Sequence, residues 1–156
     1  MIALNSEIDL GAGGVQDQWL TADLASHSNT CTLAYWHRPR FSSLANDPTY
    51  DFFWQTLYAG GADVILNGHE HAYERFAPQN PAGVSDPAGG MREFIVGTGG
   101  QGHSPPFGAF PPNGEARDNS TYGILQLTLH PSSYDWQFIR ESGGGSFTDS
   151  GSGTCH

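Results

Sequence analysis

Residues 62–71 read ADVILNGHEH, and this stretch decides the fold. Val64, Ile65 and Leu66 make an unbroken apolar run, the pattern of a strand covered on both faces and so of a parallel sheet. Asn67 and Gly68 interrupt it, and two histidines one residue apart follow at once. Alternate residues on extended backbone point the same way and lie about 7 Å apart, so His69 and His71 can offer ring nitrogens to one pocket. Gly68 reads as the turn that brings the backbone close to whatever occupies that pocket.

The flanking sequence repeats the theme. Residues 31–37, CTLAYWH, form a second apolar strand that ends on a histidine, His37. Between the two strands, NDPTYDFFWQTLYAGG (46–61) predicts a helix with Asp47 as its cap and Pro48 in its first turn. Its apolar face is Tyr50, Phe53, Trp54, Leu57 and Tyr58, and Gly60 and Gly61 end it. VQDQWLTADLAS (15–26) predicts another helix, with Val15, Trp19 and Ala22 on one face and Leu20 and Leu24 beside it. MIALNSE (1–7) and REFIVGTGG (92–100) read as strands, and residues 121–141 as two alternating strands around the turn HPSS. Residues 77–90 and 99–120 read as Pro/Gly-rich connections. The order predicts an α/β domain over residues 1–140, a mixed β-sheet with flanking helices, followed by a Gly/Ser-rich tail at 141–156.

Composition narrows the function. The chain has 156 residues, 37% of them hydrophobic, enough for a real core. Its formal charge is −10 and all six basic residues are arginine, which excludes a polyanion-binding face and a basic membrane anchor. No apolar stretch reaches the roughly 18 residues of a membrane span. The first residues lack the basic and long apolar regions of a signal peptide. Two cysteines, Cys31 and Cys155, leave two possibilities. A bridge would tether the tail and place the protein in an oxidising compartment, extracellular or periplasmic; otherwise both are unpaired thiols.

If the two histidine-ending strands are parallel neighbours, His37, His69 and His71 reach one sheet edge. Three neutral imidazoles suffice for Zn²⁺ or a similar ion with a position open to water, and such water titrates near pH 7. Taken alone, a histidine at a strand end is ordinarily a hydrogen-bonded surface residue. His103, in GTGGQGHSPPF (97–107), is a candidate substrate contact or outer-shell group. Tyr73 shares the alternation of His69 and His71, so it either lines the pocket or packs. Glu74 and Arg75 read as a local ion pair. GTGGQG lacks the Lys-Ser/Thr of a phosphate-cradling loop.

WHRPRFSS (36–43) and NGHEHAYERFAP (67–78) resemble the fourth and fifth metal motifs of the calcineurin-like metallophosphoesterases. The form GHxHAYER is most similar to the purple acid phosphatase branch. The resemblance implies the second half of a ββ sandwich flanked by helices, with a dinuclear centre where the sheets meet. It implies His37 and His69 on one metal and His71 on the second, the ions being zinc, iron or manganese. It also implies hydrolysis of phosphate mono- or diesters by a metal-activated hydroxide; Arg38, His103 and Tyr73 stand beside these ligands as candidate substrate contacts. The family's DxH, GDxx and GNHD/GNHE motifs, and with them the bridging aspartate, are absent from these 156 residues. The expectation is therefore a C-terminal half that works as a homo-oligomer or with the missing N-terminal half. Two further readings stay open: a single-ion esterase built on all three histidines, and an inactive metal-binding or oligomerising remnant.

Overall fold

The computed structural model describes residues 1–8, 11–143 and 145–156. Strand β1 (Ile2–Ala3) leads to helix α1 (Val15–Ser26), β2 (Leu33–Tyr35), a 3-10 turn (Pro48–Tyr50) and helix α2 (Asp51–Ala59). β3 (Val64–Asn67), β4 (Tyr73–Phe76), β5 (Arg92–Val96) and β6 (Gly114–Asp118) complete a six-stranded sheet ordered β1-β2-β3-β5-β4-β6. β1, β2, β3 and β5 run parallel, whereas β4 runs antiparallel to both β5 and β6. A second sheet, β7 (Gly123–Leu129), β8 (Ser133–Arg140) and β9 (Ser150–Thr154), is wholly antiparallel.

The continuous apolar strands follow from three layers. Ala34 and Ile65 face the helices, where they join Leu20 of α1 and Phe53, Trp54 and Leu57 of α2 in one buried cluster. Their neighbours Leu33 and Val64 face the other way, with Tyr73 and Phe94, onto Tyr134, Trp136 and Phe138 of the second sheet. Burying a side chain of this size contributes about 1.5–3 kcal/mol, so the two clusters hold the layers together. Asp47 caps the 3-10 turn by accepting from the Thr49 N–H at 3.0 Å, and Pro48 stands in that turn.

α1 is rotated from the expected face. Leu20 is fully buried, while Trp19 and Val15 are 48% and 80% exposed. The helix packs on α2 through Leu20 and Leu24, and the bulkier Trp19 is left outside that contact. β6 lies within residues 99–120, a stretch expected to be connection only. Its register is set by β4, where Glu74 stands opposite Arg117.

β9 pairs along β8, with Gly151 opposite Trp136 and Gly153 opposite Tyr134. A Cβ at either glycine would run into the facing aromatic ring, so the rings lie flat on bare backbone. Cys31 and Cys155 form a disulfide that fastens the end of β9 to the entry of β2. The buried Asp63 reinforces the joint by accepting from the N–H groups of Thr32 and His156. Asp149 ties the sheets together. Tyr73, Arg75 and Trp136 all donate to its carboxylate. No helix of the described residues is long and apolar enough to cross a membrane.

Candidate metal and phosphoester site

The carboxyl ends of parallel strands gather side chains from segments distant in sequence, and ligands of open α/β sheets bind there. Four exits meet at this edge: Ser6 and Glu7 after β1, His37 and Arg38 after β2, His69 and His71 after β3, and residues 97–104 after β5. β2 and β3 are adjacent and parallel. The Gly68 N–H donates to the His37 carbonyl at 3.0 Å, which locks the two exits side by side.

This lock brings two imidazoles together. Nδ1 of His69 lies 3.2 Å from Nε2 of His37, with the rings edge to face at 5.0 Å between centroids. Gly68 is not the left-handed residue. Among the described residues His69 is the one non-glycine residue with positive φ, at 62°. Such backbone is costly for a residue with a Cβ and persists where its surroundings over-determine it. It is this conformation that turns the His69 ring onto His37.

The remaining nitrogen of His69, Nε2, faces the Arg38 guanidinium at 3.2 Å. Guanidinium only donates, so Nε2 accepts, and the neutral ring carries its proton on Nδ1 and donates it to His37. Burial, joined by the Arg38 charge, lowers the His69 pKa and favours the neutral imidazole that a metal needs. Arg38 is itself held by Glu7, which accepts from Nε at 2.8 Å. The side chain remains 40% exposed, so the guanidinium is open to an anion.

His71 is held separately. Its Nδ1–H donates to the Gly102 carbonyl at 2.7 Å, which leaves the Nε2 lone pair free. Its backbone N–H donates to Ser104 Oγ at 2.8 Å, and its carbonyl accepts from the Ser104 N–H at 3.0 Å. Gly97 makes the approach possible, because a Cβ there would overlap the backbone of Glu70 and His71. Gly97, Gly102 and Ser104 escape the sequence reading. The available signal is the glycine-rich exit of a parallel strand, which marks close backbone contact rather than flexibility.

The other candidates divide. His103, between the two residues that clasp His71, stacks on Tyr122 with centroids 4.1 Å apart and planes 19° from parallel. Tyr73 does not line the pocket. It is fully buried between the sheets, with its hydroxyl on Asp149 at 2.6 Å, because residues 73–76 are a strand whose alternation restarts after the loop. Glu74 and Arg75 do not pair with each other, since successive strand residues face opposite sides. Glu74 accepts from the Ser43 N–H, while Arg75 joins Asp149 and Glu115.

A metal can be tested against these donors. Two nitrogens each about 2.1 Å from one zinc and 3.2 Å apart subtend about 100° at the ion, within reach of tetrahedral geometry. The spacing of the His37 and His69 nitrogens is therefore compatible with one cation taking the place of the proton between them, and His71 offers a separate donor. The three-histidine centre does not form, since among the described residues no three His, Cys, Asp or Glu side chains come together in a way that could hold an ion. The cause is the clasp of residues 102–104, which directs His71 apart from the other pair.

No family model matches the chain. Over 82 residues it is 33% identical to purple acid phosphatase 15 of Arabidopsis thaliana, covering 47% of this chain and 15% of that protein. Over 107 residues it is 34% identical to purple acid phosphatase 18 of the same plant, covering 64% of this chain and 24% of that protein. The chain thus spans a quarter or less of the length of these curated relatives. Among solved structures, purple acid phosphatase PPD1 from yellow lupin (Lupinus luteus) seeds superposes with a TM-score of 0.74 at 20% identity, over 96% of this chain and 30% of that one. GAP50, the anchor in the inner membrane complex of Plasmodium, gives 0.67 at 13% identity, over 94% of this chain and 47% of that one.

These partial-length matches relate the chain to the calcineurin-like metallophosphoesterases. Within the class its relatives by sequence are purple acid phosphatases, and its fold is similar to their C-terminal region.

Proposed function

We propose that the chain is the histidine-bearing part of a metal-dependent hydrolase of phosphate mono- or diesters. The observation that carries this reading is the meeting of His69 Nδ1 and His37 Nε2 at 3.2 Å across two parallel strand ends. In this proposal both nitrogens hold one cation and His71 Nε2 holds a second, the ions being divalent or trivalent zinc, iron or manganese. Bound there, the ions supply water activation and neutralise the charge that develops on phosphorus oxygens. With Nδ1 given to a cation, His69 carries its proton on Nε2. That proton would face the Arg38 guanidinium unfavourably, and Arg38 would then be available to a phosphate oxygen.

Two like-charged ions need a bridging anion, and among the described residues no carboxylate groups with the three histidines to supply it. We therefore propose that the working unit is a homo-oligomer or an association with a partner segment that bears the other metal motifs. The disulfide supports an oxidising location, extracellular or periplasmic.

The test is elemental analysis of the chain supplied with zinc, iron or manganese, alongside hydrolysis of 4-nitrophenyl phosphate by wild type and His69→Ala. The expected result is bound metal and turnover in the wild type, both falling to background in the variant. Turnover unchanged in His69→Ala would sink the assignment.

A further inference from the structure

Residues 105–112 read PPFGAFPP and carry no polar side chain, yet Phe110 is 47% exposed. A contiguous exposed apolar stretch beside a candidate site is the kind of surface that lines ligand-binding grooves.

The run is held in shape. Asn119 Nδ2 donates to the carbonyls of Ser104 and Pro105 at 3.1 and 2.9 Å. Arg117 donates to the carbonyls of Gly108 and Ala109, each at 3.2 Å, and to Ser43 Oγ. The same guanidinium lies 4.8 and 4.5 Å from the ring centres of Phe107 and Phe110, within cation–π range. The wall is also continuous with the site. Ser104 is bonded to His71 on both its N–H and its hydroxyl, and three residues of chain, at most about 11 Å, carry it to Phe107. His103, stacked on Tyr122, adds a flat ring at its near end.

We propose that residues 103–112 form an apolar wall for the organic group of the phosphoester, so that the preferred substrate carries an aryl or similarly flat apolar group. The inference rests on the phosphoester reading of the histidines. A sugar or glycerol group would turn its hydroxyls toward side chains at 105–112 that cannot hydrogen-bond, a mismatch that discriminates strongly. An anionic lipid surface is a poor alternative occupant, because the chain carries a formal charge of −10.

The test uses two non-hydrolysable probes, 1-naphthylphosphonate and methylphosphonate, titrated into the isotope-labelled chain with zinc present and followed by amide NMR. The naphthyl probe is expected to bind about tenfold tighter and to shift amides across 103–112. Phe107→Ser and, independently, Phe110→Ser should erase the preference while methylphosphonate affinity stays; Phe110 is exposed enough for its variant to keep the fold. Equal affinities with residues 103–112 undisturbed would overturn the inference. Sedimentation with phosphatidylcholine vesicles that is lost in Phe110→Ser would overturn it in favour of lipid docking. Shifts at 103–112 with no response from residues 37 and 69–71 to either probe would support the wall and remove the phosphoester reading beneath it.

Discussion

Nδ1 of His69 reaches Nε2 of His37 because the backbone at His69 is left-handed, with φ at 62°. The site thus stores a local conformational cost that glycine would not bear. Without metal, His69→Gly should be more stable than His69→Ala by about 1 kcal/mol, since alanine keeps the Cβ penalty and glycine loses it. Urea unfolding of the two variants measures the difference. Equal midpoints and slopes would mean that position 69 is not left-handed in solution.

Glu93 is fully buried, and among the described residues its carboxylate oxygens lack a well-formed hydrogen bond, the Phe41 N–H being the one weak donor near them. Burial, with the neighbouring Glu74 charge, pushes its carboxyl well above the usual range. A group with a raised folded pKa stabilises fully below its unfolded value, near 4.3, and loses that contribution as pH rises through the folded value. Glu93→Gln should therefore match wild type near pH 4 and exceed it in melting temperature at neutral pH. A wild-type advantage at pH 7 would show that the carboxylate has a partner there.

The disulfide closes a loop between residues 124 positions apart and anchors β9. Replacing Cys31 and Cys155 by serine should cost about 2–4 kcal/mol of stability. Hydrogen exchange should quicken first in β9. Unchanged protection of β9 would mean that its pairing to β8 suffices alone.

Much of the fold is legible in the sequence. β2, β3 and β5 appear as apolar runs because both their faces are covered, and α2 appears through its apolar face and terminal glycines, whereas the Asp47 cap and Pro48 belong to the 3-10 turn before it. β6 is hidden for a physical reason. Its residues 114–118, GEARD, are only partly buried and show no hydrophobic alternation, and pairing to β4 makes it a strand. β9 reads as a loose tail by composition. The usable signal is glycine at alternate positions 151 and 153, which reserve room for Trp136 and Tyr134.

In the site, the histidines are legible because spacing on a strand exit is a local property. Their grouping, His37 with His69 and His71 apart, follows from the family resemblance and not from any local pattern. His37 and His69 meet through a left-handed residue that no propensity scale assigns to histidine. His71 is turned aside by Gly102 and Ser104, more than 30 positions away. Tyr73 misleads because its alternation with the histidines is real in number, yet the loop between them resets the facing.

Asp149 accepts from Trp136 on one sheet and, on the other, from Tyr73 and Arg75, which follow His71 by only two and four positions. That one carboxylate couples the front of the molecule to its back. Loosening the outer hairpin would also slacken the segment that aims the imidazoles.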